Sequence, residues 1–131
     1  NQAPDEAPPL RVLAADDNPT NRKVVELMLG AAGAEVVSVE NGAEAVDAWR
    51  GGAFDVVLMD LRMPVMDGLD AIRAIRKAEG PGLPRAPIIV VSANTSPTDR
   101  EASARAGADR HIGKPLRAEE LFAAISGVLP P

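Results

Sequence analysis

The chain has 131 residues, no cysteine, one histidine and a formal net charge of −5. That length holds one domain with a real core rather than two, and the absence of thiols excludes disulfides and thiolate metal sites. The acidic balance argues against a nucleic-acid surface, and no apolar run reaches the roughly 20 residues of a membrane span or forms a signal peptide, so a soluble cytoplasmic domain is expected.

Residues 1–9 hold three prolines and two acids and read as a linker or disordered tail. The lack of an initiator Met and the ending Leu129-Pro130-Pro131 point to a segment of a longer protein, with the folded domain spanning 10–129. Leu10 to Ala15 is a first apolar strand, closed by the acid pair Asp16-Asp17. Asn18 can cap a helix with Pro19 in its first turn, and Val24, Val25, Met28, Leu29 and Ala32 follow at helical spacing until Gly33 stops it. Glu35 to Val39 reads as a second strand, and Gly42 to Arg50 as a helix turning Ala45, Val46 and Trp49 inward before Gly51-Gly52.

Val56 to Met59 is continuously apolar and β-branched, as in a strand covered on both faces, and it ends in Asp60. A helix from Gly68 to Ala78 carries Leu69, Ile72 and Ile75, and a loop with Gly80, Pro81, Gly82, Pro84 and Pro87 follows. Ile88 to Val91 is the fourth strand, Thr98 to Ala106 a helix whose apolar residues are only alanines, and Arg110 to Ile112 a brief fifth strand. Ala118 to Leu129 closes the chain with Leu121, Phe122, Ile125 and Val128 expected to be buried. Strand and helix alternate five times, which gives an α/β fold of parallel strands with right-handed crossovers and helices on both faces. The strand order 2-1-3-4-5 is borrowed from flavodoxin-like sheets, and it makes the first and third strands neighbours.

In such sheets ligands bind at the carboxyl ends of the strands. Asp60 alone there could be a turn former or cap. With Asp16 and Asp17 beside it, three carboxylates converge. Two unit charges about 4 Å apart repel by roughly 4 kcal/mol at an effective dielectric near 20, so the cluster calls for a hard divalent cation. The fourth strand ends in Ser92, a hydroxyl donor or else a common cap, and the fifth leads to Lys114, a mobile charge able to reach a phosphate or else an ordinary surface lysine. Together these strand ends form one ring of groups.

Those residues carry a family resemblance. Asp16-Asp17-Asn18, the run from Met59 through Asp60 and Met63-Pro64-Val65-Met66-Asp67 to Gly68, Ser92-Ala93 and Lys114-Pro115 together resemble a receiver domain of two-component signalling over Leu10 to Leu129. The resemblance implies that Asp60 is the nucleophile that takes a phosphoryl group from a histidine kinase or phosphotransfer histidine. It implies Mg²⁺ held by Asp17, Asp16, Asp60 and the backbone carbonyl of Arg62, with Lys114 and Ser92 on the phosphoryl oxygens and a cis bond between Lys114 and Pro115. By itself such a domain catalyses only its own phosphorylation and dephosphorylation.

Output in the resembled family runs through a switch on the α4-β5-α5 face: the Ser92 hydroxyl moves to the phosphoryl group and a residue three before the lysine turns inward. That residue, usually aromatic, is here His111, a steric element or a group that takes up a proton. Arg62 and Asn94 stand at positions that tune phosphoryl lifetime. The wording of the Asp16 to Arg22 and Met63 to Gly68 segments resembles receivers of hybrid histidine kinases, with a kinase core or regulatory protein as further partner and a parent protein that can be membrane-anchored. The alternatives are a stand-alone or DNA-binding regulator, or an interaction module independent of phosphorylation. A haloacid-dehalogenase-type phosphohydrolase needs a second acid where Arg62 stands, and a nucleotide binder needs a Gly-, Ser- or Thr-rich first loop, which Asp16 to Pro19 is not.

Overall fold

A computed structural model describes residues 9–80 and 85–129. The expected tail, apart from Pro9, and the expected loop residues Pro81, Gly82 and Pro84 lie outside the described residues. The elements alternate strictly: β1 Arg11–Ala15, α1 Pro19–Ala31, β2 Glu35–Val39, α2 Gly42–Gly51, β3 Val56–Asp60, α3 Gly68–Glu79, β4 Ile88–Ser92, α4 Pro97–Ala106, β5 Arg110–Gly113 and α5 Ala118–Val128. The five strands are all parallel in the order β2-β1-β3-β4-β5, as expected.

Every residue of β3 and β4 is buried, which is why their sequences show no polar alternation. One face of the sheet packs Val12, Ala14, Leu58, Ile89 and Val91 against Val25 and Leu29 of α1 and Leu121, Ala124 and Ile125 of α5. The other packs Leu13, Val57, Met59, Ile88 and Val90 against α2 and α3. Side-chain caps start four helices: Asn18, Asn41, Asp67 and Ser96 each accept a backbone N–H from the first turn. Gly33, with φ of 88°, ends the α1 turn in the left-handed region.

Two expected core positions are corrected. Phe122 is 36% exposed, because Leu121, Ala124 and Ile125 take the inward face of α5 and Phe122 lies about 100° around the helix from Leu121. Ala32 is exposed, because α1 stops at Ala31 and Ala32 serves as its C-cap.

The amino edge of the sheet is tied by a polar cluster absent from the sequence reading. The Arg76 guanidinium pairs with Glu79 at 2.9 Å and Asp109 at 3.0 Å, and donates to the carbonyls of Gly107 and Ala86. Glu79 accepts the Ala86 N–H, Asp109 accepts the Ile88 N–H, and Arg85 pairs with Asp109 from outside. The end of α3, the start of β4 and the α4–β5 loop are thereby joined, with every buried side-chain polar atom among the described residues satisfied.

Two glycines separate close approach from mere tolerance. A Cβ on Gly68 would overlap the carbonyl oxygen of Asp60 and lie 2.9 Å from the Cα of Leu61, whereas one on Gly30 in α1 meets nothing within 4 Å. Gly68→Ala is expected to lower unfolding free energy by roughly 1–3 kcal/mol, and Gly30→Ala to raise it by about 0.5–1 kcal/mol. Urea unfolding of both variants checks the pair.

Candidate functional site

The site is assembled by strand register. Ala15 is paired with Met59 and Asp60 with Val91, so Asp16, Asp60 and Ser92 leave neighbouring strands at the same edge. Ser92 is paired with Gly113, which brings Lys114 out on the far side. The carboxylates of Asp16, Asp17 and Asp60 each offer an oxygen, and these oxygens all lie within 4.8 Å of one another. Asp16 and Asp60 are buried and Asp17 is exposed. The Lys114 ammonium reaches across the edge to Asp16 Oδ2 at 3.1 Å and Asp60 Oδ2 at 3.4 Å.

Local geometry fixes each group. Asp16 Oδ1 accepts the Asn18 N–H at 2.9 Å, and Asn18 in turn caps α1 through the N–H groups of Thr20 and Asn21. Arg22, one turn into α1, donates to the carbonyl of Asp16 at 2.7 Å and so holds the strand end from the helix side. Lys114 N–H donates to the carbonyl of Ser92 at 2.9 Å, and the peptide to Pro115 is cis, as the resemblance implied. The loop between β3 and α3 is held by Gly42 N–H on the Met66 carbonyl and Gly68 N–H on the Leu61 carbonyl. Within it Val65 has φ of 69° and is 83% exposed, with Met66 N–H on the Pro64 carbonyl closing a three-residue turn.

Electrostatics single out Asp60. Burial pushes its carboxyl above the ordinary carboxylate value, Asp16 pushes it further up, and Lys114 and the backbone N–H of Arg62 work against that rise. Its anion is therefore a charge held at a cost, next to two others. Hard oxygen donors in this number and spacing fit Mg²⁺, which takes a few carboxylates and keeps several waters.

The remaining expected residues are placed as follows. Ser92 is buried and its Oγ accepts the Asn94 N–H at 3.0 Å, which leaves the hydroxyl hydrogen to donate elsewhere. Arg62 and Asn94 are exposed; the Arg62 backbone N–H bonds the Asp60 carboxylate. His111 is half-buried, its Nδ1 3.0 Å from Ser103 Oγ and its Nε2 3.3 Å from the carbonyl of Asn94. Burial is the main cause that lowers its pKa; the Arg100 charge lowers it too, while the Asn94 carbonyl and Asp99 act upward. Ser103 and Arg22 were not legible as site neighbours. The one signal for Ser103 was a lone hydroxyl on a helix face otherwise built of alanines.

Residues 12–126 match the family model described as the response regulator receiver domain. The chain is 41% identical over 123 residues, 89% of its length, to the sensor protein GacS of Pseudomonas syringae pv. syringae, of which it spans 14%. It is 46% identical over 116 residues, 86% of its length, to the two-component response regulator ORR41 of Oryza sativa subsp. japonica, of which it spans 88%. Among solved structures, the receiver domain of the sensor histidine kinase PA1611 of Pseudomonas aeruginosa PAO1, described with a magnesium ion coordinated in the active-site cleft, superposes with a TM-score of 0.83 at 36% identity, covering 92% of this chain and 98% of that one. Sheet order, the acid cluster facing a lysine, and a family match over nearly all the described residues agree, and the chain belongs to the response regulator receiver domain family.

Proposed function

We propose that this domain receives a phosphoryl group on Asp60 from a phosphohistidine and relays that state as part of a hybrid histidine kinase working in the cytoplasm. The observation that carries the reading is the buried Asp60 carboxylate set between Asp16 and Lys114 at the carboxyl end of β3. The similarity to GacS, of which the chain spans a small part, supports the hybrid setting. No described helix is long and apolar enough to cross a membrane.

In the reaction an oxygen of Asp60 attacks phosphorus, the bond from phosphorus to the donor imidazole breaks, and the departing nitrogen keeps the electron pair and takes a proton. Asp16, Asp17, Asp60 and the carbonyl of Arg62 would hold Mg²⁺, which when bound neutralises the acids and the charge on the transferring oxygens. Lys114 pairs with Asp16 and Asp60 and would turn to hold one phosphoryl oxygen. Ser92 can give its free hydroxyl hydrogen to another, and its movement would carry Asn94, which it already holds. Arg62 and Asn94 flank the product and set its exposure to water.

Intact mass after incubation with Mg²⁺ and acetyl phosphate is expected to rise by one phosphoryl group, labile to hydroxylamine. The gain should vanish in Asp60→Asn and in excess EDTA. No gain from acetyl phosphate or from a phosphorylated cognate kinase would leave an interaction module instead. Mg²⁺ at about 100 times its dissociation constant should stabilise the chain by roughly 2.7 kcal/mol, less in Asp60→Asn.

His111 makes a second outcome measurable. Its pKa is lower in the fold than near 6.5 in the unfolded chain, so the stability it contributes is complete above pH 6.5 and is lost as pH falls towards the folded value. Melting temperature between pH 8 and 5 should fall less steeply in His111→Gln than in the unmodified chain; equal slopes would remove the proton from any account of the switch.

A further inference from the structure

Beneath the acid cluster the sheet is not fully covered. A cavity of about 190 Å³ lies between α1 and the β5–α5 loop. Its apolar lining comes from Ala14, Leu58 and Val91 of the strands, Val24 and Val25 of α1, and Leu116 of the loop. Native interiors rarely leave a void much larger than a water molecule, and apolar cavities near 150 Å³ take up a single aromatic ring. On the floor β1 contributes the small side chain of Ala14, paired with Leu58 of β3.

One end of the cavity is polar. Asp16, Asp60 and Lys114 border it, as does Asn21 of α1. The Lys114 ammonium links both carboxylates there at 3.1 and 3.4 Å. Arg22 also lines the cavity, its guanidinium donating to the Asp16 carbonyl at 2.7 Å. A ligand matched to these walls has one apolar ring and one hydrogen-bond donor that can meet a carboxylate oxygen, without a charge to desolvate.

We propose that this cavity is a binding site for a small neutral aromatic compound bearing a single N–H or O–H donor, of the size of phenol or indole. Such a ligand sits under Lys114 and shares the Asp16 and Asp60 oxygens with it. Occupancy is therefore coupled to how readily Lys114 turns to an incoming phosphoryl group, a consequence that rests on the phosphoacceptor reading; the binding itself does not.

Titration of the uniformly labelled chain with indole, followed by methyl and amide NMR, tests the proposal. Saturable shifts are expected at Ala14, Val25, Leu58, Val91 and Leu116, with a dissociation constant below about 1 mM. Val24→Phe, which extends a half-buried α1 side chain into the space, is expected to weaken binding at least tenfold while preserving the remaining amide spectrum. If that variant does not fold, benzene in place of indole with the unmodified chain serves: the donor-free ring should bind more weakly at the same residues. Absence of saturable shifts up to the solubility of indole, or shifts on residues away from the cavity, overturns the site. The acetyl phosphate reaction with and without saturating indole then reads the coupling: a rate changed at least twofold supports it. An unchanged rate with proven binding overturns the coupling, and absence of phosphorylation in both arms tells against the phosphoacceptor reading instead.

Discussion

Parallel register is the constraint on which the molecule depends. With β1 next to β3, the residues that follow Ala15 and Met59 have no choice but to leave the sheet side by side, and here both are aspartates. The sheet could relieve their repulsion by letting either carboxylate turn to water. It does not: Asp16 is fixed by the Asn18 N–H, and Asp60 is buried with its carboxylate on Lys114. Lys114 is the one cation within ion-pair reach of both among the described residues. Its position depends in turn on the pairing of Ser92 with Gly113.

The fold was legible in the sequence because a covered parallel sheet leaves a direct record. Continuous apolar runs such as Val56 to Met59 and Ile88 to Val91 can be satisfied only by burial on both faces. Glycine and capping residues punctuate the helices between them. Strand order was another matter, since periodicity says nothing about which strands are neighbours. It was supplied by the fold class and agrees with the sheet observed. Phe122 shows where pattern fails: its apolar character promised burial, but on α5 the smaller Ala124 has the inward position and the ring stays at the surface.

At the site, the groups whose chemistry is carried by residue type at a strand end could be read ahead: Asp16, Asp17, Asp60, Ser92 and Lys114. Those that act through contact could not. The Arg22 contact with the Asp16 carbonyl, and the Ser103 hydroxyl beside the His111 ring, join residues of different elements. No local spacing encodes them. His111 illustrates the point further: the sequence marked it as unusual, whereas only the structure shows that both ring nitrogens are engaged, one by α4 and one by the loop that follows Ser92. Either movement of that loop or a change in ring charge alters the same pair of contacts.

The two edges of the sheet carry opposite solutions to buried charge. At the amino edge Arg76 and Arg85 face Glu79 and Asp109, so the charges balance and each buried polar atom is paired. Such a cluster holds geometry and has no net demand for anything further. At the carboxyl edge three carboxylates face one ammonium. Arg22 forms no ion pair with them: its guanidinium donates to the carbonyl of Asp16 and lies 3.9 Å from Glu40. An excess of negative charge concentrated within 4.8 Å is costly in a medium of lowered dielectric. The excess is what a divalent cation would offset: two positive charges against three carboxylates and one ammonium leave the edge close to neutral, so that an incoming phosphoryl group would not meet a negative edge. The chemistry is thus written in the imbalance of one edge, and the balanced edge keeps the strands in the register that creates it.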